Sequence, residues 1–338
     1  MSPGPGAPGP AWRRPLLSLL TITAAVGLAM VVLSPSRPAP APTPSPTPTP
    51  TVLSPAEEYT RAALRLIEER GLLLDETAWP RIVHDTMLQV VAARTSRDTY
   101  SAISTALVLA TGPRGRLLPE PDATPTPIAT PVEASVTAGI GHITVPSIGE
   151  LSGDPVSHRA AQTSDLITSI RPRVSCGWIV DVRATTSESD WGALAALEPF
   201  SHAGEVFDFR DHNGHVLHVS LAAETVFLDG QPLASSGRSS RRNTLPVAVL
   251  QSSNTMGAGE DVVLALRRGP HTRTFGATTR GGPTTETFTL SDGARLVLPT
   301  TQLSDVGGWA YTPGVKPMVL TNTPEQAAEQ WLRSECRG

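Results

Sequence analysis

The sequence predicts an α/β fold: a β/α core with an N-terminal helical subdomain, preceded by a single transmembrane helix. Three observations carry this. A run without charge lies near the N-terminus, three segments of helical periodicity sit between two Pro/Thr-rich tracts, and short apolar strands mix with helices beyond the second tract. The chain has 338 residues, a net charge of −4 and only 4% aromatic residues. Much of the proline lies in the two tracts, which leaves roughly 260 foldable residues, enough for one or two domains. The mild charge argues against a general nucleic-acid binder, and no nucleic-acid partner is expected. No cofactor and no metal is expected either.

Arg13 and Arg14 precede residues 16–33, a stretch with no charged side chain. As a helix it would be about 27 Å long, close to the ~30 Å hydrocarbon core of a bilayer. A secretory signal is the competing reading, although its apolar region is usually only about 7–15 residues long. The nearest small-x-small site, Ala39-Pro40-Ala41, is followed by Pro42, which is poor for cleavage. An uncleaved anchor is therefore favoured. It would leave residues 1–15 in the cytoplasm and the rest of the chain outside, in a single-pass cell-membrane protein; a secreted form is the alternative.

Residues 34–53 form a Pro/Thr/Ala spacer that favours extended polyproline II and cannot pack a core. Ser54-Pro55-Ala56-Glu57 then reads as a helix start, with Ser54 as cap, Pro55 in the first turn and Glu57 completing a capping box. Tyr59, Ala62, Leu66 and Ile67 keep helical spacing until Gly71. A second helix is predicted over 79–93, with Ile82, Val83 and Met87 on its apolar side. A third is predicted over 97–110, with Tyr100, Ile103 and Leu107 aligned. Together they make a helical subdomain over 54–112. A second Pro/Thr-rich connector, 113–135, leads to the main domain, 136–338.

Strand signals dominate there. Residues 141–145 alternate, and Trp178-Ile179-Val180-Asp181-Val182 is nearly continuous apolar, as a strand buried on both faces would be. His212-Asn213-Gly214-His215 carries the Asn-Gly signature of a two-residue hairpin turn. Residues 226–230 suggest another strand and turn. The strand 245–250 feeds a helix over 258–268, Ser291-Asp292-Gly293 joins two further strands, and residues 323–337 close the chain as a helix. The two cysteines, Cys176 and Cys336, could form one disulfide outside the cytoplasm or remain separate thiols; geometry decides, and spacing does not supply it.

Some constellations invite a chemical reading. His212, His215 and His218 with Asp208 and Asp211 resemble a metal set on paper, but a polar surface ribbon explains them better. Arg238, Arg241 and Arg242 read as a solvated loop. The most informative stretch runs Leu245-Pro246-Val247-Ala248-Val249-Leu250-Gln251-Ser252-Ser253-Asn254-Thr255-Met256-Gly257-Ala258-Gly259-Glu260. Here a strand meets a small-residue turn and then a helix, the place where many hydrolases mount a nucleophile.

This stretch resembles the nucleophile segment of the S41 family, the tail-specific (C-terminal processing) serine peptidases, whose turn reads approximately T-A-S-S-G-E. Other landmarks follow in order: Gly141-His142-Ile143-Thr144-Val145, Cys176-Gly177-Trp178-Ile179-Val180-Asp181-Val182-Arg183, Trp191, Thr272-Arg273-Thr274-Phe275-Gly276, and residues 290–298. The resemblance spans most of 54–337, in a compact form without room for a PDZ domain. It implies a crotonase/ClpP-like β/α core, serine-type peptidase chemistry and a peptide or protein substrate.

Anchored on Thr255 and Glu260, the nucleophile position falls on Gly257, which has no side chain with which to form an acyl-enzyme. The lysine of the Ser–Lys branch falls on Gly282, with Arg280 nearby, and arginine is a poor base. The family's G-D-G-H-S-like turn corresponds to Ala110-Thr111-Gly112-Pro113-Arg114, without histidine. The Gly-rich loop after the Arg183 position is replaced by Ala184-Thr185-Thr186-Ser187-Glu188. Three readings follow. The favoured one is a non-catalytic protein that binds a peptide or protein segment through Arg183, Ala184, Thr185, Thr186, Thr255, Met256, Gly257 and Ala258. The alternatives are an active serine endopeptidase whose nucleophile is Ser253 or Ser187, and a structural envelope protein. Ser252 and Ser253 more simply satisfy backbone groups of the turn.

Overall fold

The computed structural model describes residues 53–119, 130–148, 154–239 and 241–336. The predicted anchor over 16–33 and the spacer up to residue 52 lie outside them. Among the described residues no helix is long and apolar enough to cross a membrane.

Helix α1 (Pro55–Arg70) starts at the Ser54/Glu57 box: Ser54 Oγ accepts the Glu57 N–H, and the Glu57 carboxylate accepts the Ser54 N–H at 2.7 Å. Helix α2 (Trp79–Gln89) stops short of the predicted residue 93, at the β-branched pair Val90-Val91. Before α3 (Tyr100–Thr111) comes a 3₁₀ turn, Ser96–Thr99, held by a second reciprocal box between Thr95 and Asp98. Tyr59, Leu64, Ile67, Trp79, Ile103 and Leu107 form the buried seam of the three helices.

The connector predicted over 113–135 is not structureless throughout. Strand β1 (Arg116–Leu118) lies within it and β2 (Glu133–Thr137) begins there. Then follow β3 (Ile140–Thr144), α4 (Asp154–Ile170), β4 (Gly177–Asp181), α5 (Trp191–Leu197), β5 (Gly204–Asp211), β6 (Val216–Ala222), β7 (Thr225–Leu228) and β8 (Gln231–Ser235). The chain continues with β9 (Val247–Gln251), α6 (Ala258–Arg267), β10 (Thr272–Gly276), β11 (Pro283–Thr289), β12 (Arg295–Ser304), β13 (Val319–Leu320) and α7 (Pro324–Glu335). Helices α4 and α5 are absent from the expectations above.

Two sheets result. One runs β13-β10-β9-β4-β3-β2, parallel except for β2, which returns antiparallel on β3. The other is antiparallel, β1-β12-β5-β6-β7-β8, with β11 also on β12. The two central parallel strands, β4 and β9, read as nearly continuous apolar runs because both faces are covered. Trp178, Val180, Val247 and Val249 point to the main core with α4, α5 and α6, while Ile179, Ala248 and Leu250 pack with Ala328 and Leu332 of α7. A disulfide joins Cys176, at the start of β4, to Cys336 behind α7.

In β12 the alternation divides two environments. Leu296 and Leu298 are buried against the helical subdomain, and the intervening Arg295 and Val297 face the other way. A buried ion pair, Arg159 on α4 with Asp190, sets the start of α5, since Asp190 also caps it by accepting the Ala193 N–H. The β5–β6 turn spans four residues rather than two, because the Asp211 carboxylate accepts the N–H groups of both Asn213 and His215. His218 sits opposite Asp208 in the register and bonds it through Nδ1 at 2.9 Å. Among the described residues no His/Cys/Asp/Glu group is arranged to hold a metal ion. Arg238 and Arg242 are tied down by Asp165 and Glu198, so that loop is anchored rather than freely solvated.

Candidate functional site

The site lies beyond the C-terminal ends of β4 and β9, where ligands bind in open α/β sheets. Two segments meet there: the loop over 182–190 and the turn over 252–257 that leads into α6. The turn satisfies itself. Thr255 Oγ1 donates to the Val182 carbonyl and accepts the Ser252 N–H, while Ser252 Oγ donates to the Arg183 carbonyl and accepts the Asn254 N–H. Small hydroxyl residues suit this because they bond backbone at short range.

Gly257 caps α6 with φ +50 and ψ −117, a conformation for which L side chains are poorly suited. A Cβ at this position would stand 2.4 Å from the Ser187 carbonyl oxygen and 2.9 Å from that of Glu188. The 185–188 loop thus fills the space a nucleophile side chain would need. It also engages the backbone donors at the head of the helix. The Met256 N–H donates to the Thr185 carbonyl at 3.0 Å, and the Ala258 N–H donates to the Ser187 carbonyl at 2.9 Å. Free N–H groups at such a place stabilise a developing oxyanion; here those two already have acceptors.

The loop is latched from the other side. Arg114 places one guanidinium nitrogen 2.9 and 3.0 Å from the two Glu188 oxygens, and another donates to the Gly281 carbonyl at 3.3 Å. Below, the Glu260 carboxylate accepts the N–H groups of Gly257 and Gly281 and the Thr279 hydroxyl. Burial pushes its carboxyl above the usual range, opposed by these hydrogen bonds. Its neighbour Asp261 is pushed well above the usual range, chiefly by burial and then by the charges of Glu260 and Glu188.

Among the described residues neither fallback nucleophile is hydrogen-bonded to a base. Ser187 Oγ is buried without a hydrogen-bond partner among the described residues. Ser253 is exposed at the tip of the turn. The only lysine of the chain is Lys316, also exposed, and it does not line the hollow beside the turn.

That hollow, about 550 Å³, is lined by Arg114, Arg116, Thr186, Glu188, Met256 and Arg280 among others. A second hollow of about 360 Å³ shares Arg116, Thr186 and Glu188 with it and continues along β1, β12 and β11.

The sequence model of peptidase family S41 matches residues 139–320, more than half of the chain. The chain belongs to peptidase family S41. Among curated relatives of this S41 protein, the nisin-resistance protein of Lactococcus lactis subsp. lactis is 23% identical over 283 residues, covering 83% of this chain and 88% of the relative. A lipoprotein from Streptococcus agalactiae superposes with a TM-score of 0.69 at 23% identity, over 85% of this chain and 99% of that one. The photosystem II D1 C-terminal processing protease superposes at 0.56 with 14% identity, over 81% and 94%. The mixed α/β architecture is therefore that of S41 proteases, a family that takes peptide or protein substrates.

Of the residues named from sequence, Thr186 and Met256 line the first hollow, and Ser187 lines the second. Thr185, Thr255 and Ala258 are buried beneath. Ala184 is fixed by the Ser147 hydroxyl donating to its carbonyl, and Arg183 is paired with Asp181 and Glu325. The sequence reading did not select Arg114, Arg116, Glu188, Arg280 or Arg295 as site residues. Two signals existed: Arg114 occupies the place of the family's histidine-bearing turn, and Arg280 lies beside that of its lysine.

Proposed function

We propose that this S41 protein is a non-catalytic, membrane-anchored, extracytoplasmic protein that binds an extended peptide or protein segment in its cleft. Its crotonase/ClpP-like core serves as a scaffold rather than a catalyst. One observation carries the reading: the Ser187 carbonyl occupies both the space of a side chain at position 257 and the Ala258 N–H. Acyl transfer needs a nucleophile, a base and a free oxyanion donor. At position 257 there is no nucleophile, the cations that line the adjoining hollow are arginines, and the Met256 and Ala258 donors are engaged. Arginine stays protonated and does not act as a base near neutral pH.

The charge-free run over 16–33 supports attachment to a membrane, and a lipoprotein among the structural relatives agrees with it. The spacer over 34–53 would hold the domain away from the bilayer.

The test is incubation of the full-length chain with a broad peptide library, read by mass spectrometry for cleavage and by retention for binding. Retention of peptides without new termini is the expected result. Cleavage abolished by Ser253→Ala or Ser187→Ala would overturn the non-catalytic reading.

A further inference from the structure

We infer that the cleft selects peptide segments bearing carboxylates, whether Asp and Glu side chains or a free C-terminus; this rests on the peptide-binding reading above. The two hollows share Arg116, Thr186 and Glu188 and so form one groove. Among the described residues Glu188 is the only acid lining either, and Arg114 neutralises it. Arg116, Arg280 and Arg295 remain, and none has an acidic partner among the described residues. In a chain of net charge −4 the groove is thus a local concentration of positive charge.

Strand register explains how the arginines come together. Antiparallel pairing sets Arg116 opposite Val297 and Leu118 opposite Arg295. Residues opposite one another share a face, and so do residues two apart, so these four lie on one side of the sheet. Thr287, opposite Val297 on β11, extends that side. The floor of the groove is therefore an extended, mixed apolar and hydroxyl surface with a guanidinium on each of two adjacent strands. Arg295 Nε is moreover buried with no acceptor among the described residues. A planar guanidinium with unused donors matches a carboxylate bidentately. Thr287 offers a hydroxyl to the backbone of a bound segment, Thr186 Oγ1, which donates to Ser147 Oγ, offers an acceptor, and Leu118, Val297 and Met256 offer apolar contact.

The experiment measures fluorescence anisotropy of labelled decapeptides on the full-length chain at low and high salt. The peptides are a Glu/Asp-containing sequence and its Gln/Asn isostere, each with a free or an amidated C-terminus. The acidic peptide should bind about tenfold more tightly than the isostere at low salt, and the preference should shrink as salt screens it. Loss of affinity on amidation alone identifies the terminal carboxylate as the source; loss only in the Gln/Asn isostere identifies side chains. Arg116→Gln and Arg295→Gln should each reduce the preference severalfold, with Arg116→Lys retaining most of it. Equal affinity for acidic and isosteric amidated peptides, with no effect of amidation, overturns the inference and leaves peptide binding standing. A preference untouched by both Gln variants overturns the assignment to this groove. Absence of binding by any of the peptides overturns the peptide-binding reading as well.

Discussion

Placing serine at position 257 should destabilise the protein without creating a peptidase. The added Cβ would stand 2.4 Å from the Ser187 carbonyl oxygen and 2.9 Å from that of Glu188, and both contacts are with backbone, which cannot rotate away. Position 257 also has φ +50, where a residue with a Cβ is strained by about 1–3 kcal/mol. To admit the side chain the 185–188 loop must retreat, losing the Ala258-to-Ser187 hydrogen bond, worth roughly 1 kcal/mol. The sum, about 2–4 kcal/mol, corresponds to a fall in Tm of roughly 4–16 °C for a body of this size. Thermal denaturation of Gly257→Ser beside Gly257→Ala separates strain from the hydroxyl, since both should fall alike. A fluorogenic peptide assay on the same samples should stay at background. A Gly257→Ser protein as stable as the parent, or one that cleaves peptide, would refute the view that the loop has taken the nucleophile's place.

Three further outcomes are expected. Arg159→Ala leaves Asp190 charged and buried, where the pair's side chains are 6% and 1% exposed, and should cost about 3–5 kcal/mol in urea denaturation, much of it restored in the double variant Arg159→Met/Asp190→Asn. Cys336→Ser opens a covalent loop with a sequence separation of 160, which should lower stability by about 2–5 kcal/mol, read as a shifted urea midpoint that reductant no longer moves. Asp261 has a folded-state pKa raised above its unfolded value of about 3.8, so folding retains its proton: its contribution is greatest below that value and is lost as pH rises through the folded pKa. Asp261→Asn should flatten this decline and raise the urea midpoint at pH 8 relative to the parent.

What could be read in the chain was what depends on neighbours in sequence. The Ser54/Glu57 box announces α1 because both of its bonds close within one turn. The run Trp178–Val182 announces a strand buried on both faces because no polar residue other than Asp181 interrupts it. The framework landmarks identified the family, and with it the general position of the site. Helix α5 was illegible for the opposite reason: its small residues are buried all round, so it has no polar face to mark a helical period. Helix α4 hides because Arg159 interrupts its buried stripe, and the Asp190 that makes this tolerable lies far along the chain. Strand β1 is too short to show any period. The site itself was legible as a set of missing groups. That the Ser187 carbonyl stands in the gap, and that Arg114 holds the loop there, are contacts between distant segments that no local pattern encodes.

The bond between Cys176 and Cys336 also has a consequence in time. The two cysteines are separated by 160 positions, so the bridge cannot close until the segment carrying α7 has been made and docked on the parallel sheet. Until then Cys176 stays a lone thiol at the start of a central strand. Oxidation thus marks chemically the molecules in which α7 is in place, and thiol-reactive labelling of an oxidised population would report those in which it is not.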